Sequence, residues 1–247
     1  MSNRFFLGVF IAILFSLNIL YSCNNKQKID ENTEAKNNLI VYPAQGYVNG
    51  SDGTGGVVVY KTFDEIKELA EQGDMKAQYC YATCYRDGNH VSQSDTKAAE
   101  WFRKSAEQGF AMSQHELGLC YYHGKGVVQS YENAVKWYRL SAEQGYSFGE
   151  HCLGVCYERG EGVQQSYTEA AKWYKMSSEK GNFYSMYNLA LFYEEGKGVE
   201  KSTLKAFELF MLLANEGFAE AQCNIGDYYR LGVGVDEDIN EALTRIA

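Results

Sequence analysis

The sequence predicts an all-α protein, a solenoid of about five helix pairs that repeat every 36 residues. Pro43 is the one proline among 247 residues, so no proline interrupts helices in the long stretch that follows it. Tryptophan recurs with a step of 36 at Trp101, Trp137 and Trp173. Glycine recurs at the same step without a gap, at Gly73, Gly109, Gly145, Gly181 and Gly217. A fixed period of this length is typical of stacked supersecondary units.

The composition is that of a folded protein and disfavours nucleic-acid binding. Hydrophobic residues make up 45% of the chain and aromatic residues 15%, which is enough to form a core. The 32 acidic residues exceed the 23 basic ones, giving a net charge of −9. A surface of this sign repels a phosphate backbone. We therefore expect no nucleic acid among the partners.

The amino terminus has the pattern of an export signal over residues 1–22. Arg4 precedes an apolar run from Phe5 to Leu20 that is shorter than a membrane-spanning helix requires. The following residues, through Cys23, resemble the signal of bacterial lipoproteins. That resemblance implies a lipid on the Cys23 thiol, anchorage to a membrane and a location in the cell envelope. The alternatives are a cleaved signal that leaves Cys23 as an ordinary thiol, and an uncleaved anchor.

Residues 23–60 are predicted to be a flexible tether. The residues after Cys23 are rich in Asn, Lys and Glu, and a Gly-rich stretch at residues 53–56 lacks the Gly-Lys-Ser/Thr ending of a phosphate-binding loop. Two short β-prone runs, residues 39–42 and 57–60, could pair as a hairpin.

Within each repeat, glycines and serines mark the helix ends. First helices should stop at the column that contains Gly124, and a second column contains Gly126, where the backbone needs positive φ. His90 stands in this second column in place of glycine. Second helices should begin after side chains that can cap them, namely Ser94, Ser130, Ser166, Ser202 and Asp238. Small residues such as Gly118 and Gly154 on first helices should let the two helices of a pair approach closely.

These residues resemble the Sel1-like repeat, a branch of the tetratricopeptide-like helical repeats. The motif is clearest in Leu117-Gly118-x-x-Tyr121-x-x-Gly124-x-Gly126-Val127, followed by Ala134-x-x-Trp137-Tyr138. The resemblance assigns residues 61–247 to the solenoid, with an incomplete fifth repeat, so that we expect a truncated reading frame or a fraying last helix. It implies a right-handed superhelix whose concave channel holds proteins, and it implies no reaction.

The resemblance also places a partner-binding surface on the first helices. In tetratricopeptide-like stacks the inner face is formed by first-helix positions at fixed offsets from the Leu of Leu-Gly. The side chains expected to bind a partner are Tyr79, Arg86, His115, Leu119, Tyr122, His151, Glu158, Tyr187, Glu194 and Arg230. Their types vary while the packing positions stay constant, as on a binding surface carried by a repeated scaffold.

The cysteines favour packing over cross-linking. The six that follow Cys23 all lie on first helices, at Cys80, Cys84, Cys120, Cys152, Cys156 and Cys223. Equivalent positions on neighbouring helices are about 8–10 Å apart, beyond the separation of about 7 Å that a disulfide allows. We expect free structural thiols. A disulfide between residues four apart, Cys80–Cys84 or Cys152–Cys156, remains an alternative.

Two chemical functions compete with the scaffold interpretation. Two Ser-x-x-Lys strings, which begin at Ser94 and Ser202, are similar to those of penicillin-interacting enzymes, but both serines fall in the capping column. His115 and His151 share a column near several cysteines, although no helix has His and Cys at i, i+4. We therefore expect a non-enzymatic scaffold without cofactor, metal or catalytic residues. An envelope hydrolase acting on β-lactam or peptidoglycan and a metal-binding periplasmic protein are the alternatives.

Overall fold

The computed structural model describes residues 39–43 and 59–231, with side chains described through Tyr229. Two strands, β1 (Leu39–Tyr42) and β2 (Val59–Thr62), precede ten helices in this part of the chain. The helices are α1 (Phe63–Glu71), α2 (Met75–Asp87), α3 (Asp95–Glu107), α4 (Ala111–His123), α5 (Tyr131–Glu143), α6 (Ser147–Arg159), α7 (Tyr167–Glu179), α8 (Phe183–Glu195), α9 (Thr203–Asn215) and α10 (Ala219–Leu231). Each helix packs on its neighbours in the chain. The predicted class, an all-α solenoid of helix pairs, is confirmed.

The predicted caps begin the second helices of four pairs. Ser94, Ser130, Ser166 and Ser202 each accept a hydrogen bond from the backbone N–H three residues later. First helices α2, α4, α6 and α8 end at glycines with φ near +70°, as the glycine column predicts. Asp238 lies outside the described residues. Two caps that the sequence interpretation missed, Asp74 and Asn182, begin α2 and α8.

Glycine lets the two helices of a pair approach closely. A Cβ on Gly118 would lie 2.5 Å from the ring of Tyr138, and a Cβ on Gly154 would lie 2.7 Å from the ring of Tyr174. Both tyrosine side chains are almost completely buried. The small residue on the first helix thus receives the aromatic ring of the second helix, as predicted, and this contact lies in the core of these two pairs.

A two-stranded sheet packs on helices α1 and α2. Strands β1 and β2 pair with each other, so the predicted pairing is confirmed, with β2 two residues later than expected. The Tyr42 hydroxyl donates to Asp74 Oδ1 at 2.7 Å, and Asp74 Oδ1 also accepts from the backbone N–H of Ala77. Residues 39–42 fall inside the predicted tether 23–60, but they pack on the first repeat.

The short helix α1 explains why a histidine can stand in the glycine column. A Cβ on Gly126 would lie 2.1 Å from the backbone oxygen of Asp95, at the start of α3. His90 takes the equivalent left-handed conformation, with φ of 65°. The helix one repeat before α3, which is α1, has nine residues where the later second helices have 13. Because the corresponding first turn of α1 is replaced by β2, the His90 side chain has space and stacks on Phe63 with ring centroids 5.4 Å apart.

Several predictions fall outside the described residues. These are the signal at residues 1–22, the lipid-accepting Cys23, the side chain of Arg230 and the incomplete second helix of the fifth repeat. Among the helices of the described segments, none has the length and apolar character needed to cross a membrane.

Candidate functional site

Two cavities lie side by side on the first helices. One, of about 200 Å³, opens between α2 and α4 above the ring of Phe102. The other, of about 250 Å³, opens between α4 and α6 above the ring of Tyr138. Leu119 and His123 of α4 line both cavities. Each cavity is therefore formed by two consecutive first helices and a ring from the second helix between them, and we call the two together the groove.

An ion pair joins α2 and α4 at the first cavity. The Arg86 guanidinium contacts Asp87 on its own helix at 2.8 Å and Glu116 on α4 at 3.0 Å. Burial raises the pKa of Glu116, while the charge of Arg86 opposes this effect. Arg86 thus has two roles, since it lines the cavity and also links two repeats.

A hydrogen-bonded triplet joins α4 to the end of α6 at the second cavity. The Tyr122 hydroxyl donates to Glu161 Oε2 at 2.5 Å and accepts from the Arg159 guanidinium at 3.1 Å. Burial and the hydrogen bond to Glu161 raise the pKa of Tyr122 to about 12. The phenol is therefore protonated at neutral pH, and its ring forms one wall of the cavity.

The two predicted histidines have different environments. His115 is 8% exposed, contacts the rings of Tyr146 and Phe148, and its Nδ1 has no hydrogen-bond partner. His151 lines the second cavity, and its Nδ1 lies 2.9 Å from Ser185 Oγ. Because Ser185 donates its own proton to Ser177, His151 Nδ1–H is the donor. His115 thus contributes little accessible surface, whereas His151 is available at the groove.

Burial lowers the pKa of both histidines to about 4. Both imidazoles are therefore neutral at pH 7, and His151 offers a contact surface of aromatic character without charge.

The other predicted residues lie outside the two cavities. Tyr79 packs its ring against Phe102 and Phe110. Glu158 accepts a hydrogen bond from the buried Tyr174 hydroxyl at 2.5 Å. Tyr187 and Glu194 are half-buried on α8. Three of the predicted side chains, Arg86, Tyr122 and Glu158, therefore also link helices.

Several cavity residues with charged or imidazole side chains were missed by the sequence interpretation. Glu116 immediately precedes the motif leucine Leu117, and the offsets of the family motif do not include it. His123, Lys125 and Arg159 lie at or beyond the ends of first helices, where the offsets do not reach. Charged residues in the last turn before the glycine column were the available signal.

The groups considered for catalysis occupy structural positions. Ser94 Oγ and Ser202 Oγ accept hydrogen bonds from Lys97 N and Lys205 N, at 3.4 and 3.3 Å, and so cap their helices. Cys120 and Cys152 line the cavities as free thiols, and burial raises their pKa to about 11 and 12. A thiol with so high a pKa is a weak nucleophile at pH 7. Within the described segments, no group of three or more His, Cys, Asp or Glu could hold a metal ion.

Comparison with solved structures shows two similar Sel1-type proteins. The first is a protective antigen present in uropathogenic Escherichia coli strains, which displays an SLR fold. It is 35% identical, covers 71% of this chain and has a TM-score of 0.68; the match spans 38% of that protein's length. The second is a Sel1 repeat protein from Oxalobacter formigenes. It is 32% identical, covers 74% of this chain and 80% of that one, and has a TM-score of 0.65. A search of curated proteins finds no match.

The family model of the Sel1 repeat matches five consecutive segments. They are residues 76–110, 111–146, 151–182, 183–218 and 219–244. Together they span most of the chain, and the first four correspond to the helix pairs from α2 to α9, so this chain belongs to the Sel1 repeat family.

Proposed function

We propose that this protein is an exported, lipid-anchored scaffold that binds a protein partner in the groove on its first helices. Sel1 repeat proteins are helical scaffolds that typically mediate protein–protein interactions. The observation that supports a binding site here is the pair of adjacent cavities at residues that the repeat pattern had singled out, Arg86, Leu119, Tyr122 and His151.

The chemistry of the groove favours protein side chains as ligands. Leu119, Val155 and Tyr138 give the second cavity an apolar floor, while Tyr122 and Arg159 place polar groups at its rim. A cavity of about 250 Å³ accommodates a single large side chain rather than a folded domain. We infer that the partner inserts apolar side chains from an extended segment, with hydrogen bonds at the rim.

A pair of variants tests the groove. Leu119→Gln with Val155→Gln makes the floor polar without touching the Arg86–Glu116 or Tyr122–Glu161 links. Leu140→Gln with Leu212→Gln is the matched control, since both leucines are exposed on second helices. The full-length proteins capture partners from their own envelope, and quantitative mass spectrometry compares them. Loss of the same partners in the groove variant alone supports the proposal. Equal capture by both variants, with unchanged helicity, contradicts it.

Export and anchoring rest on the sequence pattern before Cys23. Cys23→Ser removes the thiol that would accept the lipid, so labelling with a palmitate analogue should be lost and the protein should leave the membrane fraction. Label that persists in the Cys23→Ser protein contradicts the anchor.

A further inference from the structure

Two exposed aromatic rings lie one repeat apart, beside the groove. Phe148 on α6 and Tyr184 on α8 are the second residues of their helices, and they are 38% and 61% exposed. Each ring lies 6.1 Å from the histidine of the preceding first helix, Phe148 from His115 and Tyr184 from His151. The repeat therefore presents aromatic rings in equivalent places on consecutive first helices.

The second of these rings continues into a larger aromatic cluster. Tyr184 contacts Phe218 with centroids 6.0 Å apart, and Phe218 contacts Tyr187 at 5.6 Å. Tyr187 in turn packs against the buried Phe210. Tyr184 is thus held by neighbours that are anchored in the core, and it is a preformed contact surface rather than a loose side chain.

Carboxylates lie on helices α8 and α10, which border this cluster. Helix α8 carries Glu194 and Glu195 and contains no Lys or Arg, and Glu195 pairs with Lys197 just beyond the helix. Exposed Glu220 lies at the start of α10. Burial raises the pKa of Tyr187, and the charges of Glu220 and Glu194 raise it further. Glu220 is the second residue of α10, the place that Phe148 and Tyr184 occupy in α6 and α8.

Aromatic faces flanked by carboxylates attract cations. A Lys or Arg above an aromatic face gains a cation–π interaction, and the neighbouring carboxylates add Coulomb attraction. The same charges repel phosphate backbones and anionic lipid surfaces. A cationic protein segment is the ligand that complements both the rings and the charges.

The spacing of the rings fits a regular extended peptide. His151 lies one turn after Phe148 on α6, where side chains three residues apart have Cβ atoms about 5–6 Å from each other. The His151 ring centroid is in turn 6.1 Å from that of Tyr184, so the Phe148 and Tyr184 rings are within reach of one short segment. A polyproline II helix rises about 3.1 Å per residue with three residues per turn, so equivalent side chains recur about every 9 Å. Side chains three residues apart on such a peptide can therefore contact Phe148 and Tyr184 at the same time.

We propose that the surface formed by Phe148, Tyr184 and Glu220 binds a polyproline II segment of the partner with Lys or Arg at every third position. This proposal rests on the proposed function and names the chemistry of the partner. The segment lies along the first helices, places its cations on the two rings and continues towards α10.

Labelled synthetic peptides test this proposal by fluorescence anisotropy with the full-length protein. The first peptide repeats Pro-Pro-Lys, the second repeats Pro-Pro-Glu, and the third alternates Pro and Lys so that lysine recurs at every second position. We expect saturable binding of the first peptide, at least tenfold weaker binding of the third, and none of the second. Equal affinity for the two lysine peptides would show general attraction to an acidic protein and would overturn the proposal, as would no binding of either.

Two charge-matched variants locate the binding site. Tyr184→Ala with Glu220→Lys should weaken binding of the Pro-Pro-Lys peptide at least tenfold. Leu204→Ala with Glu208→Lys makes the same charge change at an exposed pair on α9, where Leu204 is also 61% exposed, and should leave binding unchanged. Equal loss in both variants contradicts the site.

The partner assay separates this proposal from the proposed function. If partners depend on Leu119 and Val155 but are captured equally well by the Tyr184→Ala, Glu220→Lys variant, the scaffold function stands and the cationic-segment proposal fails.

Discussion

The Lys180 ammonium contacts the carboxylate of Glu150, which is completely buried, where the two preceding repeats have a pair of glutamines. Gln108 donates to Gln78 Oε1 and Gln144 donates to Gln114 Oε1, each at 2.7 Å. One repeat thus uses an ion pair at a position where its neighbours use neutral amides. The two chemistries connect the same helices, which makes a direct exchange possible.

Exchanging this ion pair for a glutamine pair should be nearly neutral for stability. Lys180→Met leaves Glu150 without its cation in a buried site and should lower the free energy of unfolding by about 3 kcal/mol. Glu150→Gln costs less, about 1 kcal/mol, because Lys180 is partly exposed and can reach water. The double variant Glu150→Gln, Lys180→Gln recreates the neighbouring pair and should lie within about 1 kcal/mol of the parent. Urea unfolding of all three measures this, and a double variant less stable than Lys180→Met would contradict the equivalence of the two pairs.

Substitution of Gly126 should destabilise the fold far more than substitution of His90 in the same turn column. Gly126→Ala places a Cβ against the Asp95 backbone and adds a left-handed conformation, so we expect a loss of about 3 kcal/mol or more. His90→Gly removes left-handed strain and also the stack on Phe63, so the net change should stay within about 1 kcal/mol. Thermal and urea unfolding provide the comparison. Similar losses at the two sites would mean that the missing first turn of α1 does not create the space at His90.

The bond between Tyr42 and Asp74 should tie β1 to the first repeat. Tyr42→Phe removes the hydroxyl that donates to Asp74 and should cost about 1 kcal/mol. Amide hydrogen exchange at residues 39–42 should become faster, while exchange in α4 and α6 stays unchanged. Tyr60→Phe is the control, since Tyr60 is 49% exposed on β2. If the amide hydrogens of residues 39–42 exchange without protection in the unsubstituted protein, the result would instead favour a flexible tether throughout residues 23–60.

Acid should destabilise the fold before most carboxylates titrate. His115 and His151 have a pKa near 4 in the folded state, below the usual value of 6.5, so the unfolded state binds more protons between these values. The free energy of unfolding should therefore fall as the pH drops from about 6.5 to 4, with the loss complete below 4. The groups that face His115 are Glu116, whose Oε1 is 3.9 Å from Nδ1, and the charges of Arg86 and His151.

The matching variant is His115→Phe, which keeps an aromatic ring in the site. Between pH 6.5 and 5 its stability should depend less steeply on pH than that of the parent, as measured by urea unfolding. An unchanged slope would mean that His115 is protonated in the folded state.

The sequence predicts what is repeated better than what occurs once. The serine caps, the glycine turns and the contact of Gly118 with Tyr138 follow from columns, because each copy confirms the same local requirement. The role of His90 could not be predicted, since it depends on the first turn that α1 lacks. The link between Arg86 and Glu116 was also missed, because it joins positions in different columns on neighbouring helices.

Burial around the groove was the least predictable property. His115 and His151 occupy the same column. The hydroxyl of Ser185 on α8 accepts the hydrogen bond of His151 Nδ1–H, but the residue on α6 that corresponds to Ser185 is Gly149, which has no hydroxyl to offer His115. Whether a position in the column is accessible depends on such neighbours two helices away. The family offsets identify the correct face of the helices, and the contacts across repeats decide which side chains remain available on it.

The contact of Gly126 with the start of α3 also bears on how such a protein can evolve. Gly162 and Gly198 make the same close approach to Tyr131 and Tyr167, so three joints between successive repeats are interchangeable. A gene rearrangement that removes or duplicates residues 127–162 would join equivalent residues and preserve the joint on either side. The groove can therefore lengthen or shorten by one cavity in a single genetic step, while a rearrangement out of step with the 36-residue period would join residues that are not equivalent.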